Sequence, residues 1–195
     1  MTVTREIADK LSALPEASAV SLRLGTDQYF DAIQGMLDVF ASKNNLEVFY
    51  ITSTIPSQSI INALEVLEIP LDRIWFVDCI SQIMMSAAKR HTHSIVVESP
   101  TMLENLMLKI EFLMRKHPER KALVVLDSIN SLAIHNNTKI LSEFLHIFVN
   151  NLRSHGAYTV IFSMQEYETD EIRNMLVIVC DETLELGHDL KALAE

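Results

Sequence analysis

The residue best placed to do chemistry is Asp127, at the end of the apolar run 122–130 (ALVVLDSIN). A short continuous apolar run bounded by polar residues suits a central parallel strand covered on both faces. Open α/β sheets bind ligands at the carboxyl ends of such strands. In nucleoside triphosphatases an acid at that place holds Mg²⁺, usually through a water. Ser128 follows it and is a second candidate ligand. The same chemistry needs a G-x-x-x-x-G-K-[ST] loop to cradle a triphosphate, and the sequence contains none. With 4 glycines in 195 residues, the chain is also short of the residue that lets successive N–H groups turn toward an anion.

Other constellations carry less. Two histidines stand at His91 and His93, with His135, His146, His155 and His188 scattered. Zinc sites need three or four ligands with a supporting shell. No H-E-x-x-H, H-x-x-E-H or paired C-x-x-C occurs, so no metal is expected apart from Mg²⁺ at Asp127 if it binds. A nucleophile elbow, G-x-S-x-G, is absent too. Cys79 and Cys180 lie far apart beside apolar residues and read as two reduced thiols. Met84, Met102, Met107 and Met114 fall on helix stripes, where core filling explains them.

Sixteen basic against 26 acidic residues give a formal charge of −10. Such a surface repels nucleic acid, whose affinity comes mainly from neutralised phosphates. The two basic clusters, at Lys89-Arg90 and at 115–121, read as solvated helix ends. The first residues, MTVTREIADKL, carry acids and no apolar core, so they are not a signal peptide. No stretch reaches the roughly 20 apolar residues of a membrane span. A cytoplasmic protein without a membrane or nucleic-acid partner is expected.

The elements that must position Asp127 follow from periodicity. Residues 4–14 form an amphipathic helix with Ile7, Leu11 and Leu14 on one stripe. It either docks on its own domain or hooks a neighbour. Strands are expected at 19–24, 47–52, 73–79 and 158–164, besides the run ending at Asp127. A helix to about residue 42, capped by Thr26 or Asp27, should bury Phe30, Ile33, Leu37 and Phe40. Further helices are expected at 57–67, 80–90, from Ser99-Pro100 to 117, and at 138–153 with Gly156 ending it. Residues 91–98 read as part loop, part short strand. The acidic segment 166–171 reads as a solvated loop at the ligand edge. Short strands at 176–180 and 183–186, joined by Asp181-Glu182, suggest a closing hairpin, and the tail from Gly187 a frayed helix. Strands separated by helices of this length mean crossovers and a parallel sheet. The expected fold is an α/β three-layer sandwich with a mostly parallel sheet, flanking helices and a C-terminal β-hairpin extension.

In order and spacing, the chain from 19 to 186 resembles the RecA-like P-loop ATPases, and among them the KaiC-like branch. LVVLDSINSL (123–132) is similar to that branch's Walker B strand, and FLHIFVNNLRSHGAYTVIFSM (144–164) to its next helix and strand. The resemblance implies two parts: residues 1–15 as an N-terminal amphipathic helix and 16–195 as a RecA/KaiC-like α/β domain.

Two departures stand out against that family. Where members carry a full phosphate loop ending in Gly-Lys-Thr or Gly-Lys-Ser, this chain reads Leu24-Gly25-Thr26-Asp27-Gln28-Tyr29, with no lysine. Asp27 reverses the charge where a polyanion should sit; one like-charge contact near 4 Å costs on the order of 4 kcal/mol at an effective dielectric of about 20. Helix-dipole compensation is only about 0.3–1 kcal/mol. Where the family resembles itself in a pair of glutamates after the second strand, Thr54 and Ile55 stand here, and neither is a general base.

Gly25, Thr26, Asp27, Asp127 and Ser128 are therefore read as a vestigial nucleotide site with no catalytic residue and no expected cofactor. The implied function is a non-catalytic KaiC/RecA-like pseudo-ATPase, a protein-interaction or regulatory module. Its partner would be a second copy of itself or a related ATPase subunit. One rival is an atypical ATPase that binds ATP and Mg²⁺ through Thr26, the backbone N–H groups of 25–28 and Asp127. The other is an accessory factor to a recombinase or other nucleic-acid machinery, which would need a local basic patch.

Overall fold

Apolar strands separated by amphipathic helices assemble into one parallel sheet in the computed structural model, which describes residues 2–83 and 92–186. The strands are β1 (Ala19–Leu24), β2 (Glu47–Thr52), β3 (Ile74–Asp78), β4 (Ser94–Val96), β5 (Ala122–Asp127), β6 (Tyr158–Met164) and β7 (Glu182–Glu185). They lie in the order β4-β3-β2-β5-β6-β1-β7, every pair parallel. β6 therefore stands between β1 and β5.

Period-2 alternation splits the strand side chains between two cores. Leu22, Tyr50, Val125 and Phe162 face one side, where they pack with α1 (Val3–Ser12), α2 (Tyr29–Gln34) and α3 (Ser57–Val66). Phe49, Ile51, Val124, Leu126 and Ile161 face the other. There they meet α4 (Leu103–Lys116), α5 (Ile129–His135), α6 (Thr138–Ser154) and α7 (Asp170–Val179). This is the three-layer α/β sandwich. Among the described residues no helix is long and apolar enough to cross a membrane.

α1 docks on its own domain, against the helix that follows β1: Ile7, Ala8 and Leu11 are buried in the first core. Gly35 permits this approach. A Cβ there would stand 2.0 Å from Ile7 Cγ2 and 2.5 Å from the Thr4 carbonyl oxygen. From Gly35 to Ala41 the helix after β1 continues as a π-helix, a winding that shifts which residues face inward.

Several elements differ from expectation. The segment 176–180 is not a strand. Ile172, Met175, Leu176 and Val179 recur at helical spacing and are the buried face of α7. β7 then pairs parallel to β1, a geometry reached through the α7 crossover, so the closing element is no hairpin. The acidic segment is in part the start of that helix: Thr169 caps it by accepting from the Ile172 N–H, and Asp170 and Glu171 sit in its first turn, where the dipole favours acids. Phe30 is 46% exposed, and Tyr29 takes the inward position instead. α4 begins at Leu103; Ser99 Oγ accepts from the Thr101 N–H in the preceding turn. Gly25, rather than Thr26 or Asp27, occupies the cap position before the 3₁₀ turn Thr26–Gln28. Most of the helix expected over 80–90, the Lys89-Arg90 cluster, His91, Met84 and the tail from Gly187 lie outside the described residues.

Candidate functional site at the carboxyl edge of the sheet

Asp127 ends β5 with no exposed surface. A bare carboxylate buried to this depth is costly unless hydrogen-bonded. Its oxygens are met by three hydroxyls. Tyr29 and Tyr50 both donate to Oδ2, Tyr50 at 2.7 Å, and Thr54 Oγ1 lies 3.3 Å from Oδ1. Burial still dominates and pushes the Asp127 carboxyl up to about 6, against the pull of the bonds from Tyr29, Tyr50 and Thr54. Burial first, then the charge of Asp127, pushes both phenols well above their usual value. As donors they stay protonated.

Tyr29 comes from the first turn of α2, directly after the 25–28 turn. Its ring packs edge-on against Phe162 of β6, centroids 6.1 Å apart, and so reaches across the strand that separates β1 from β5. Tyr50 points to the same side from the neighbouring strand β2. Thr54 follows β2 and also lies 3.3 Å from Ser128 Oγ.

Ser128 is a helix cap. Its Oγ accepts from the Ser131 N–H at 3.4 Å and opens α5, a helix that periodicity alone does not mark. Its backbone is held as well: Ser53 Oγ lies 3.2 Å from the carbonyls of Asp127 and Ser128, and the Ser53 N–H donates to Asp127 O at 2.7 Å. Asn130 closes the end of β6, accepting from the Met164 N–H at 2.8 Å.

The turn after β1 is folded on itself. The Gly25 N–H donates to Gln28 Oε1 at 3.1 Å, and the Gln28 N–H returns to Gly25 O at 3.0 Å. The Thr26 N–H donates at 2.8 Å to the carboxylate of Glu166, a bond that holds this exposed acid below its usual range. A Cβ on Gly25 would stand 2.6 Å from Asp27 Oδ1 and 3.5 Å from Glu166 Oε1, so two carboxylates flank the glycine. Gly25, Thr26 and Asp27 thus share one turn, and Asp127 and Ser128 share another. Tyr29 is the side chain that links the two.

A second acid ends β3, on the far side of β2. Asp78 lies opposite Thr52 in the register, as Asp127 does on the other side. Burial would raise it, but hydrogen bonds from the Ser81 and Ser57 hydroxyls and N–H groups outweigh that and lower it. The Ser57 N–H at 2.7 Å and the Ser81 N–H at 2.8 Å are among them. Two strand-end carboxylates, one on each side of β2, are thus driven in opposite directions, one by serine hydroxyl and backbone donors, the other by burial beneath two phenols.

Sequence reasoning left out Tyr50, Asp78 and the bond from Thr26 to Glu166. The available signal was a tyrosine within, and a threonine just after, the strand that neighbours an isolated buried-type acid. Among the described residues no group of three or more His, Cys, Asp or Glu is placed to hold a metal. Burial pushes the thiols of Cys79 and Cys180 up to about 12, which removes both as nucleophiles at neutral pH.

The sequence matches no protein-family model, and a search of curated proteins finds no relative. Among solved structures the fold is similar to that of a KaiC-like protein from the hyperthermophilic archaeon Pyrococcus horikoshii. The TM-score is 0.62 at 16% identity, covering 91% of this chain and 75% of that one. The chain has the RecA-like fold. Within that fold Asp127 stands at the carboxyl edge, at the end of a central strand.

Proposed function

We propose that this RecA-like chain is a KaiC/RecA-like module that does not hydrolyse ATP and works through protein contacts, as a regulatory or assembly subunit. One observation carries the reading: the acid placed to hold Mg²⁺ by analogy, Asp127, is fully buried with two tyrosine hydroxyls on a single oxygen. Mg²⁺ reaching that oxygen would have to displace a phenol and open the core around Tyr29.

The phosphate side gives the same answer. A phosphate loop works by aiming free N–H groups at the anion and adding a lysine. Here the Gly25 N–H is taken by Gln28 and the Thr26 N–H by Glu166, Asp27 faces Gly25, and no lysine follows in the turn. Mg-ATP therefore fits these residues poorly, and no hydrolytic step is assigned. Thr54 bonds Asp127 from the place where a base would be needed, and a threonine hydroxyl cannot serve as one.

A RecA-like domain without turnover retains its surfaces, and the proposed partner is a second copy or a related active ATPase subunit. Isothermal titration of the full chain with Mg-ATP tests the reading: no heat of binding is expected. A micromolar dissociation constant, with Asp127→Ala abolishing it, overturns the proposal in favour of an atypical nucleotide site.

A further inference from the structure

At the opposite, amino edge of the sheet a cavity of about 240 Å³ opens where β2 and β5 begin and α4 and α6 end. Four of its eight lining residues are basic, Arg115, His117, Arg120 and His155, and none is acidic. That is a concentration of basic side chains in a chain with a net charge of −10. Phe49 and Met114 give it an apolar wall.

These bases are held from behind. Glu47, 3% exposed at the start of β2, accepts from Trp75 Nε1 at 2.7 Å and Arg120 Nη1 at 3.1 Å. His117 Nδ1 lies 3.4 Å from the same carboxylate, and the Trp75 ring packs 4.6 Å from the His117 ring. His155 Nδ1 lies 2.8 Å from the Asn151 carbonyl, which makes it the donating nitrogen. Arg115, 79% exposed, touches Glu111 at 3.4 Å. Each of these contacts engages one nitrogen of a side chain that has more to offer.

The helix dipole accounts for a cation near each helix end. It does not account for bases from the ends of two separate helices and the segment after α4 converging on one concavity, with a buried carboxylate orienting two of them. Buried carboxylates that orient histidine or arginine are a common support for ligand sites. We propose that this cavity binds a small organic phosphate. Arg115 and Arg120 donate to its oxygens, His117 and His155 flank it, and its apolar portion rests on Phe49 and Met114. Arginine forks match phosphate geometry. A volume below the roughly 300–1,000 Å³ of drug-sized sites limits the ligand to about one ring or one sugar. Nothing in this assignment depends on whether ATP binds at the other edge.

The test titrates the full chain with phenyl phosphate to about 10 mM at constant ionic strength, reading the His117 and His155 ring signals by NMR. Saturable shifts are expected, with Arg115→Gln weakening the affinity by about tenfold. Arg115 is exposed, so this variant keeps the fold. Arg120→Gln, which also unties Glu47, is the second variant and should weaken binding at least as much. Shifts that do not saturate, or that sodium chloride reproduces, overturn the site. So does undiminished affinity in both variants, and benzoate binding as tightly as phenyl phosphate overturns the assignment to phosphate.

Discussion

Tyr29 and Asp127, 98 residues apart in the chain, meet in a hydrogen bond that bridges the ends of two strands with a third between them. The phenol stands on the first turn of the helix after β1, and the acid closes β5. Tyr50 shares the same carboxylate oxygen. A position that could face a ligand is thereby internal to the fold, and its electrostatics become a matter of stability.

Asp127→Asn should change how stability depends on pH. The folded carboxyl titrates near 6, above its unfolded value of 3.8, because burial outweighs its hydrogen bonds. The group's contribution is thus complete below about pH 4 and is lost as the pH rises through about 6. Above that, the native state holds a buried charge at a cost of about 3 kcal/mol. An asparagine keeps the shape and an acceptor for the phenols without the charge. Urea unfolding from acid to pH 8 should show the variant more stable by about 1–3 kcal/mol at the alkaline end, with a flatter profile. Parallel profiles for the two proteins would contradict this account.

Tyr29→Phe removes one of the bonds that oppose burial. The Asp127 carboxyl should then rise beyond 6, seen in a carbon-13 titration of its side chain. Stability at pH 8 should fall by about 1.5–3 kcal/mol, the usual worth of a hydrogen bond to a charged group. At pH 4 the loss should be smaller, because the acid is then neutral. An unchanged carboxyl titration would show that the phenol does not contact Asp127 in solution. The wild-type tyrosines add an alkaline signature. Burial and the Asp127 charge raise both, so stability falls as the pH passes their unfolded value of 10.0.

Much of this frame was legible from periodicity alone. The ends of β1, β2 and β6 coincide with the apolar and β-branched runs, and α6 follows its stripe to the turn before Gly156. Asp127 stood out because nothing polar precedes it within its strand. The misread segments have local causes. Val177, Ile178 and Val179 form a β-branched run, yet the first two are exposed on α7 while Val179 belongs to its buried stripe. Tyr29 rather than Phe30 faces inward because the buried stripe of this helix runs through Tyr29, Ala32, Ile33 and Met36, with a small alanine in it that a count of large apolar residues passes over. The contacts that define the site join residues 77 and 98 positions apart, or 140 for Thr26 and Glu166. Spacing along the chain does not carry that information.

Gly156→Ala isolates a backbone effect. Gly156 has φ +71°, the left-handed region, and a Cβ there would meet nothing within 4 Å. Packing therefore neither gains nor loses, and the cost should be the conformational one of about 1–2 kcal/mol. Denaturant midpoints should shift accordingly with an unchanged slope. A neutral result would mean that the turn after α6 is free to adopt another geometry.

Gly35→Ala addresses the place of α1. An alanine Cβ would stand 2.0 Å from Ile7 Cγ2 and 2.5 Å from Thr4 O. A side chain can rotate away, but Thr4 O is backbone, so relief requires α1 to move as a unit. Moving it uncovers Ile7, Ala8 and Leu11, all nearly without exposed surface in the native fold. The expected loss is at least the roughly 1–3 kcal/mol of an overpacked core, and hydrogen exchange should rise first across residues 3–12. Adding Ile7→Ala removes the side-chain clash and leaves the one with Thr4 O, so it should not restore protection. If the double variant did recover native exchange, the close approach of the two backbones would not be what seats this helix against the one that carries Gly35.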